Sequence, residues 1–195
     1  DFRLELCNII SYRTDPDNAT ESLRINILPQ LMSLSIVEDI SMECITGEID
    51  LADAQDIRTV LPLTGLERLE LKLHTPGSAK EDRVDTSEEQ SDPFYIYKIE
   101  KMRPSGGTGR QMIYRLFFTS REAYRNSITR VSRAFEGPIE NAVAEILKDE
   151  RYLNSRKKCF IEESRSNSKF VIPNVRPFKA IEFLASQTIS QVYQN

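Results

Sequence analysis

MIYRLFFTSREAYRNSITRVSRAFEGPIENAVAEIL, residues 112–147, changes its hydrophobic period in mid-course, and that change divides the chain. Met112 to Phe118 is a run of aromatic and branched side chains, the composition of a strand. At Thr119-Ser120-Arg121-Glu122 the pattern becomes the Thr-x-x-Glu form of a capping box, in which hydroxyl and carboxylate satisfy free backbone N–H groups at a helix start. Tyr124, Ile128, Val131 and Phe135 recur at spacings of 4, 3 and 4, which predicts one helix with an apolar stripe running to Gly137-Pro138. Pro138 suits the first position of a second helix. There Ile139, Ala142, Val143, Ile146 and Leu147 follow the i, i+3, i+4, i+7, i+8 pattern.

Upstream, the reading is β throughout. Phe94 to Ile99 pairs with the 112–118 run across a hairpin segment holding Gly106, Gly107 and Gly109. Phe2, Leu4 and Leu6 alternate with Arg3 and Glu5, and Leu23 to Ile27 alternates likewise. Ser33 to Thr46 reads as a long strand or a bent pair. Leu69, Leu71 and Leu73 share a face opposite Glu70 and Lys72, launched by a turn at Pro62-Leu63-Thr64-Gly65. KEDRVDTSEEQSD, residues 80–92, has Val84 as its one aliphatic side chain, too little apolar surface to offset chain entropy, so a mobile acidic loop is expected over 79–92.

Downstream, Cys159-Phe160-Ile161 reads as a short strand. FVIPNVRPFKAIEFLASQTIS, residues 170–190, then reads as a strand ended by Pro173 and a helix opened by Pro177. Ile181, Leu184, Ala185, Thr188, Ile189 and Val192 share one face of that helix. Pro173, Pro177, Phe178, Ile181 and Leu184 together are read as a structural joint. The fold class is therefore α+β: a small antiparallel β-barrel over 1–118, then an α+β domain over 119–195 of two helices, short strands and a further helix.

Charge and composition narrow the function. The net charge of −4 is uneven: residues 1–79 carry −8 and 80–92 carry −4, whereas 93–133 carry +7 and 151–179 carry +6. An acidic front and a basic back favour contacts between unlike faces, including those of separate copies. No stretch approaches the ~18 apolar residues of a membrane helix, and the first residues do not read as a signal peptide. Cys7, Cys44 and Cys159 have no metal-ligand spacing and are expected as reduced thiols.

The single histidine, His74, is read as a turn residue rather than a catalytic base. The glycines of 106–109 lie between strands, without the helix start that makes a phosphate cradle. Glu48, Asp50, Asp53 and Asp56 lack the ligand spacing of a calcium loop and read as a solvated turn or helical face. Glu140 and Glu145 are not paired for acid–base work. No catalytic, cofactor-binding or metal-binding residue is assigned, and the chain is not expected to be an enzyme. Arg121, Arg125, Arg130 and Arg133 are candidates for a protein interface, because a nucleic-acid reader would be basic overall and this chain is acidic.

The order of "LPLTGLERLELKLHTPG", "DPFYIYKIEKM", "SRE…RVSRAFEG" and "IPNVRPFKAIEFLAS" resembles the baseplate hub proteins of T-even-type contractile-tailed phages, related in fold to the hub part of type VI secretion spike proteins. The resemblance spans about residues 20–190. Val175 stands where that family often has tryptophan. The resemblance implies a structural virion protein of the tail baseplate, assembled in the host cytoplasm. It implies a tail-tube-like barrel, with a second barrel beyond residue 195, and a homotrimer forming a ring of pseudo-sixfold symmetry around the DNA channel. The implied partners are the central spike, tail-tube or tube-initiator proteins and baseplate wedge proteins, with DNA only passing through. A hub or spike adaptor of a related contractile injection or type VI machine is the alternative.

Overall fold

The computed structural model describes residues 2–14, 22–53, 64–65, 67–77, 83–87, 91–102, 112–164 and 167–187. Two compact units divide the chain, Asp1–Arg121 and Glu122–Asn195. The first unit is antiparallel β. Its strands are β1 (Arg3–Thr14), β2 (Ser22–Asn26), β3 (Leu31–Val37), β4 (Thr46–Asp53), β5 (Arg68–His74), β6 (Val84–Asp85), β7 (Phe94–Met102) and β8 (Met112–Thr119). They pair in the order β2-β1-β5-β7-β8-β4-β3, with β6 on β5. The ends of that order, β2 and β3, are consecutive in sequence and joined by Ile27 and a 3-10 turn at Leu28–Gln30. The chain thus steps from one edge of the sheet to the other without a hydrogen-bonded ladder between them, which makes a half-barrel.

Alternation explains why one face became the core. Cys7 and Ile9 of β1, Ile49 and Leu51 of β4, Leu69 and Leu71 of β5, Phe94 and Ile96 of β7, and Tyr114, Leu116 and Phe118 of β8 pack into one buried cluster. Fully burying each aliphatic side chain contributes about 1.5–3 kcal/mol. Ile27, from the linking turn, joins the cluster and donates its N–H to the Cys7 carbonyl at 2.9 Å, so the crossing between sheet edges is anchored in the core.

Several local expectations are corrected. Residues 33–46 form neither one strand nor a simple bent pair: β3 ends at Val37, and β4 begins only at Thr46. Glu48, Asp50 and Asp53 lie on β4 rather than on a turn or helix, and the Asp53 side chain is buried. Within the expected acidic loop, Val84 and Asp85 pair with Leu73 and Lys72 of β5, and Thr86 is buried, its hydroxyl accepting the Leu71 N–H at 2.8 Å. Asp56, the 103–111 glycine segment, Pro62, Leu63 and the rest of that acidic run outside 83–87 and 91–92 lie outside the described residues.

The second unit contains α1 (Arg121–Ile128), β9 (Val131–Pro138), α2 (Ile139–Lys148), β10 (Asn167–Val175) and α3 (Pro177–Ser186), α1 opening on the last residue of the first unit. The single long helix expected from 119 to 136 is therefore corrected to a short helix followed by a strand. The N–H and hydroxyl of Thr129 both donate to the Arg125 carbonyl and close α1. From Val131 the backbone pairs with β10, Phe135 opposite Phe170 and Val131 opposite Val175. Val131 and Phe135 are four residues apart, an even number that suits one face of a strand as well as one face of a helix. The helical stripe was read through Ile128, which is exposed.

The capping box is also corrected. Thr119 ends β8, and its hydroxyl donates to the Ile45 carbonyl at 3.2 Å instead of capping the helix. Cys159-Phe160-Ile161 carries no strand. Val131, Phe135, Ile139, Ala142, Ile146, Tyr152, Ile172, Ala180 and Leu184 form the core of this unit. The helix face predicted to continue through Thr188, Ile189 and Val192 lies outside the described residues beyond Gln187.

Candidate functional site

The joint is a bulge followed by a helix start. Pro173 does not end its strand as expected, since β10 continues to Val175. The register with β9 shifts between Ile172, opposite Arg133, and Val175, opposite Val131. Pro173 and Asn174 occupy that shift, and Asn174 takes the left-handed conformation, φ 52°, that Asn tolerates. A bulge is where a residue lacking an N–H costs the ladder little. Pro177, as expected, is the first residue of α3 and is buried.

The N-cap position of α3, Arg176, supplies no side-chain bond, and the Phe178 N–H instead donates to Asn126 Oδ1 of α1 at 3.0 Å. Leu184 and Ala180 are fully buried, and Ile181 packs against the same core. Phe170 and Phe183 meet edge-on, centroids 6.5 Å apart. These residues hold the unit together. Asn126 was missed because its partner is 52 residues away, and no local spacing marks it.

The four arginines separate by environment. Arg121 pairs with Asp92 at 3.3 Å, and Arg125 donates from Nε to the Tyr152 carbonyl at 2.9 Å and from Nη2 to the Glu150 carbonyl. Both hold the local chain in place. Arg133 pairs with Glu145, its guanidinium 5.3 Å from the Phe135 ring centre, and Arg130 is exposed with its Nη1 on the Thr129 carbonyl. Beside them Glu122 is buried, accepting from the Ser155 hydroxyl at 2.6 Å and facing Lys157 Nζ at 3.1 Å. Burial pushes its pKa up, but the Ser155 bond and the Lys157 charge outweigh that and hold it below the usual carboxylate range.

Much of the acidity of the first unit is neutralised at home. Arg115 binds Asp50 through two parallel bonds, 2.7 and 2.9 Å, with Glu48 at 3.6 Å. That fork, with a bond from Ser33, holds the Asp50 carboxyl below its ordinary pKa. Lys72 lies between Asp85 and Glu5, His74 contacts Glu5, and Arg24 covers the buried Glu70. His74, expected in a turn, is the last residue of β5. The turn between β3 and β4 differs: Glu38 and Glu43 have no ion pair among the described residues, and Ile40 between them is fully exposed.

Reactive chemistry finds little footing. Burial raises the Cys7 thiol to about 12, so it stays protonated and poorly nucleophilic. Among the described residues no group of three or more His, Cys, Asp or Glu could share a metal ion. A cavity of about 270 Å³ opens between Phe2, Leu34, Ile36, Leu73 and Thr75, with no charged side chain in its lining. No described helix is long and apolar enough to cross a membrane.

Comparison with solved structures gives distant likenesses in fold. The chain is similar to the Escherichia coli c3393 protein, described as a component of the type VI secretion system with structural similarity to the T4 bacteriophage tail proteins gp27 and gp5. The TM-score is 0.43 at 9% identity, over 96% of this chain and 43% of that one. The chain thus spans under half the length of that protein. No family model matches the sequence, and no curated protein matches it.

Proposed function

We propose that this chain is a structural subunit of a baseplate hub in a contractile tail, a homotrimer whose ring joins a central spike to the tail tube and surrounds the DNA channel. The observation that carries the reading is the succession of parts. An antiparallel half-barrel with two strand edges left unladdered is followed by a separate unit ordered helix, strand, helix, strand, helix. The sequence motifs that resemble phage hubs fall on both units: two of them, within 61–77 and 92–102, on the half-barrel, and the other two from the Ser120-Arg121-Glu122 helix start to the Ile172–Ser186 segment.

The chemistry is consistent with a scaffold. Asp50 of β4 is ion-paired to Arg115 of β8 and Glu70 of β5 to Arg24 of β2, the one core thiol is protonated, and buried polar groups such as Glu122 and Glu70 stitch elements together. These arrangements stabilise a shape and leave no poised acid–base pair among the described residues to assign to a reaction. The spike and tube contacts, the location in the virion baseplate and the passage of DNA belong to the same proposal, as do the barrel over 1–118, the α+β domain over 119–195 and interface roles for Arg121, Arg125, Arg130 and Arg133. Native mass measured by light scattering tests it: a trimer is expected, and a monomer at every concentration contradicts it.

A further inference from the structure

The two most exposed large apolar side chains among the described residues are Ile40 and Phe160, the first fully exposed and the second at 86%. Each sits in a segment without regular secondary structure, and their flanks are of opposite sign. Ile40 caps the turn Glu38-Asp39-Ile40-Ser41-Met42-Glu43, which has three carboxylates, no basic residue, and a second exposed apolar side chain in Met42. The turn is held in shape: Ser41 N–H donates to Asp39 Oδ1 at 2.7 Å and Met42 N–H to the Asp39 carbonyl at 3.0 Å. A turn braced in this way presents its isoleucine instead of folding it back.

Phe160 lies in Arg156-Lys157-Lys158-Cys159-Phe160-Ile161, with Lys158 Nζ 4.8 Å from its ring centre. Lys157 is committed to Glu122, whereas Lys158 has no ion pair among the described residues. The segment therefore offers an exposed aromatic ring with an ammonium held against it that has no carboxylate partner among the described residues. The units that carry the two segments also differ in sign, −7 for Asp1–Arg121 and +3 for Glu122–Asn195, which together make the net −4. Unlike charges favour contact between a first unit and a second unit over contact between two of the same kind.

We infer that the β3–β4 turn is a docking knob for a second copy of this chain, seating Ile40 and Met42 on Phe160 while Glu38 and Glu43 face Lys158. The contact is head-to-tail, so each copy offers one knob and one socket, and repetition closes into a ring when the rotation per copy allows. The inference rests on the homo-oligomeric reading above and adds to it the surfaces that meet.

Sedimentation velocity of the full chain tests it. Ile40→Asp and Phe160→Asp should each weaken self-association about tenfold or more, as loss of an apolar anchor does, while circular dichroism stays unchanged because both side chains are exposed. Glu38→Lys and Lys158→Glu should each weaken it several-fold, as rim charges do, and the double variant carrying both should recover. Carbodiimide coupling of Glu38 to Lys158 in a mixture of isotopically labelled and unlabelled protein should join labelled to unlabelled chains. Coupling confined within single copies, or unaltered association of the Asp variants, overturns the knob and leaves the oligomer standing. A monomer at every concentration overturns both.

Discussion

Gly47 shows how a single position fixes the barrel. A Cβ there would lie 2.3 Å from Cζ of Phe118 and 2.5 Å from the Ser35 carbonyl oxygen, and neither a core ring nor a paired strand can retreat that far. β4 comes this close to its neighbours because residue 47 has no side chain. Gly47→Ala should therefore destabilise the first unit by roughly 1–3 kcal/mol, as over-packing does, read as a lower denaturation midpoint in guanidinium. An unchanged midpoint would mean the strand can move aside. The sequence offers no way to see this, since a glycine before Glu48 looks like any turn glycine until the pairing is known. The acidic run from Glu48 was misread for a related reason. Glu48 and Asp50 look like solvent-facing charges, and they are on a strand that buries the alternate residues Ile49 and Leu51 and pairs with β3 and β8, where Arg115, 65 residues beyond Asp50, binds that carboxylate.

At the scale of elements, what was legible depended on how local the cause was. α2 was legible because Ile139, Ala142, Val143 and Ile146 at helical spacing pack into its own unit's core, a pattern visible within ten residues, although Pro138 is its N-cap and not its first residue. Pro177 was read correctly because proline at a first helical position is favoured by its own fixed φ. β9 was not legible, since its strand character comes from pairing with β10 some 35 residues on, and Val131 and Phe135 have a spacing that serves either structure. The start of α3 combines both kinds of cause. Its proline is local, and its capping acceptor, Asn126 of α1, is distant. Asn126→Ala should cost about 1 kcal/mol, the usual loss for a helix cap, and Asn126→Asp, which keeps an acceptor oxygen, should recover most of it. Equal losses for the two variants in thermal melts would show that the bond contributes nothing.

For the whole molecule, both units respond to acid with the same sign. Asp50 and Asp85 in the first and Glu122, Glu140 and Asp149 in the second have folded-state pKa values below their ordinary range, Asp149 at about 2 through its bonds from Arg151. A carboxyl group depressed on folding contributes stability that is fully present above its unfolded value, about 4, and is lost as pH falls through the folded value. Melting temperature should stay level from neutral pH to about 5 and drop below that. Glu122→Gln should flatten the drop, and a melting temperature that rises on acidification would refute the assignment.

The coarse architecture, barrel-like β followed by α+β, was legible because period and turn residues are short-range signals. Which surfaces meet between copies was not, because Ile40 and Phe160 are marked by exposure, a property of the folded chain alone. Oligomeric state decides most directly whether the chain forms a ring. Light scattering of the 22.4 kDa chain across a concentration series should give the mass of three chains, and a mass of one chain at every concentration would contradict the ring.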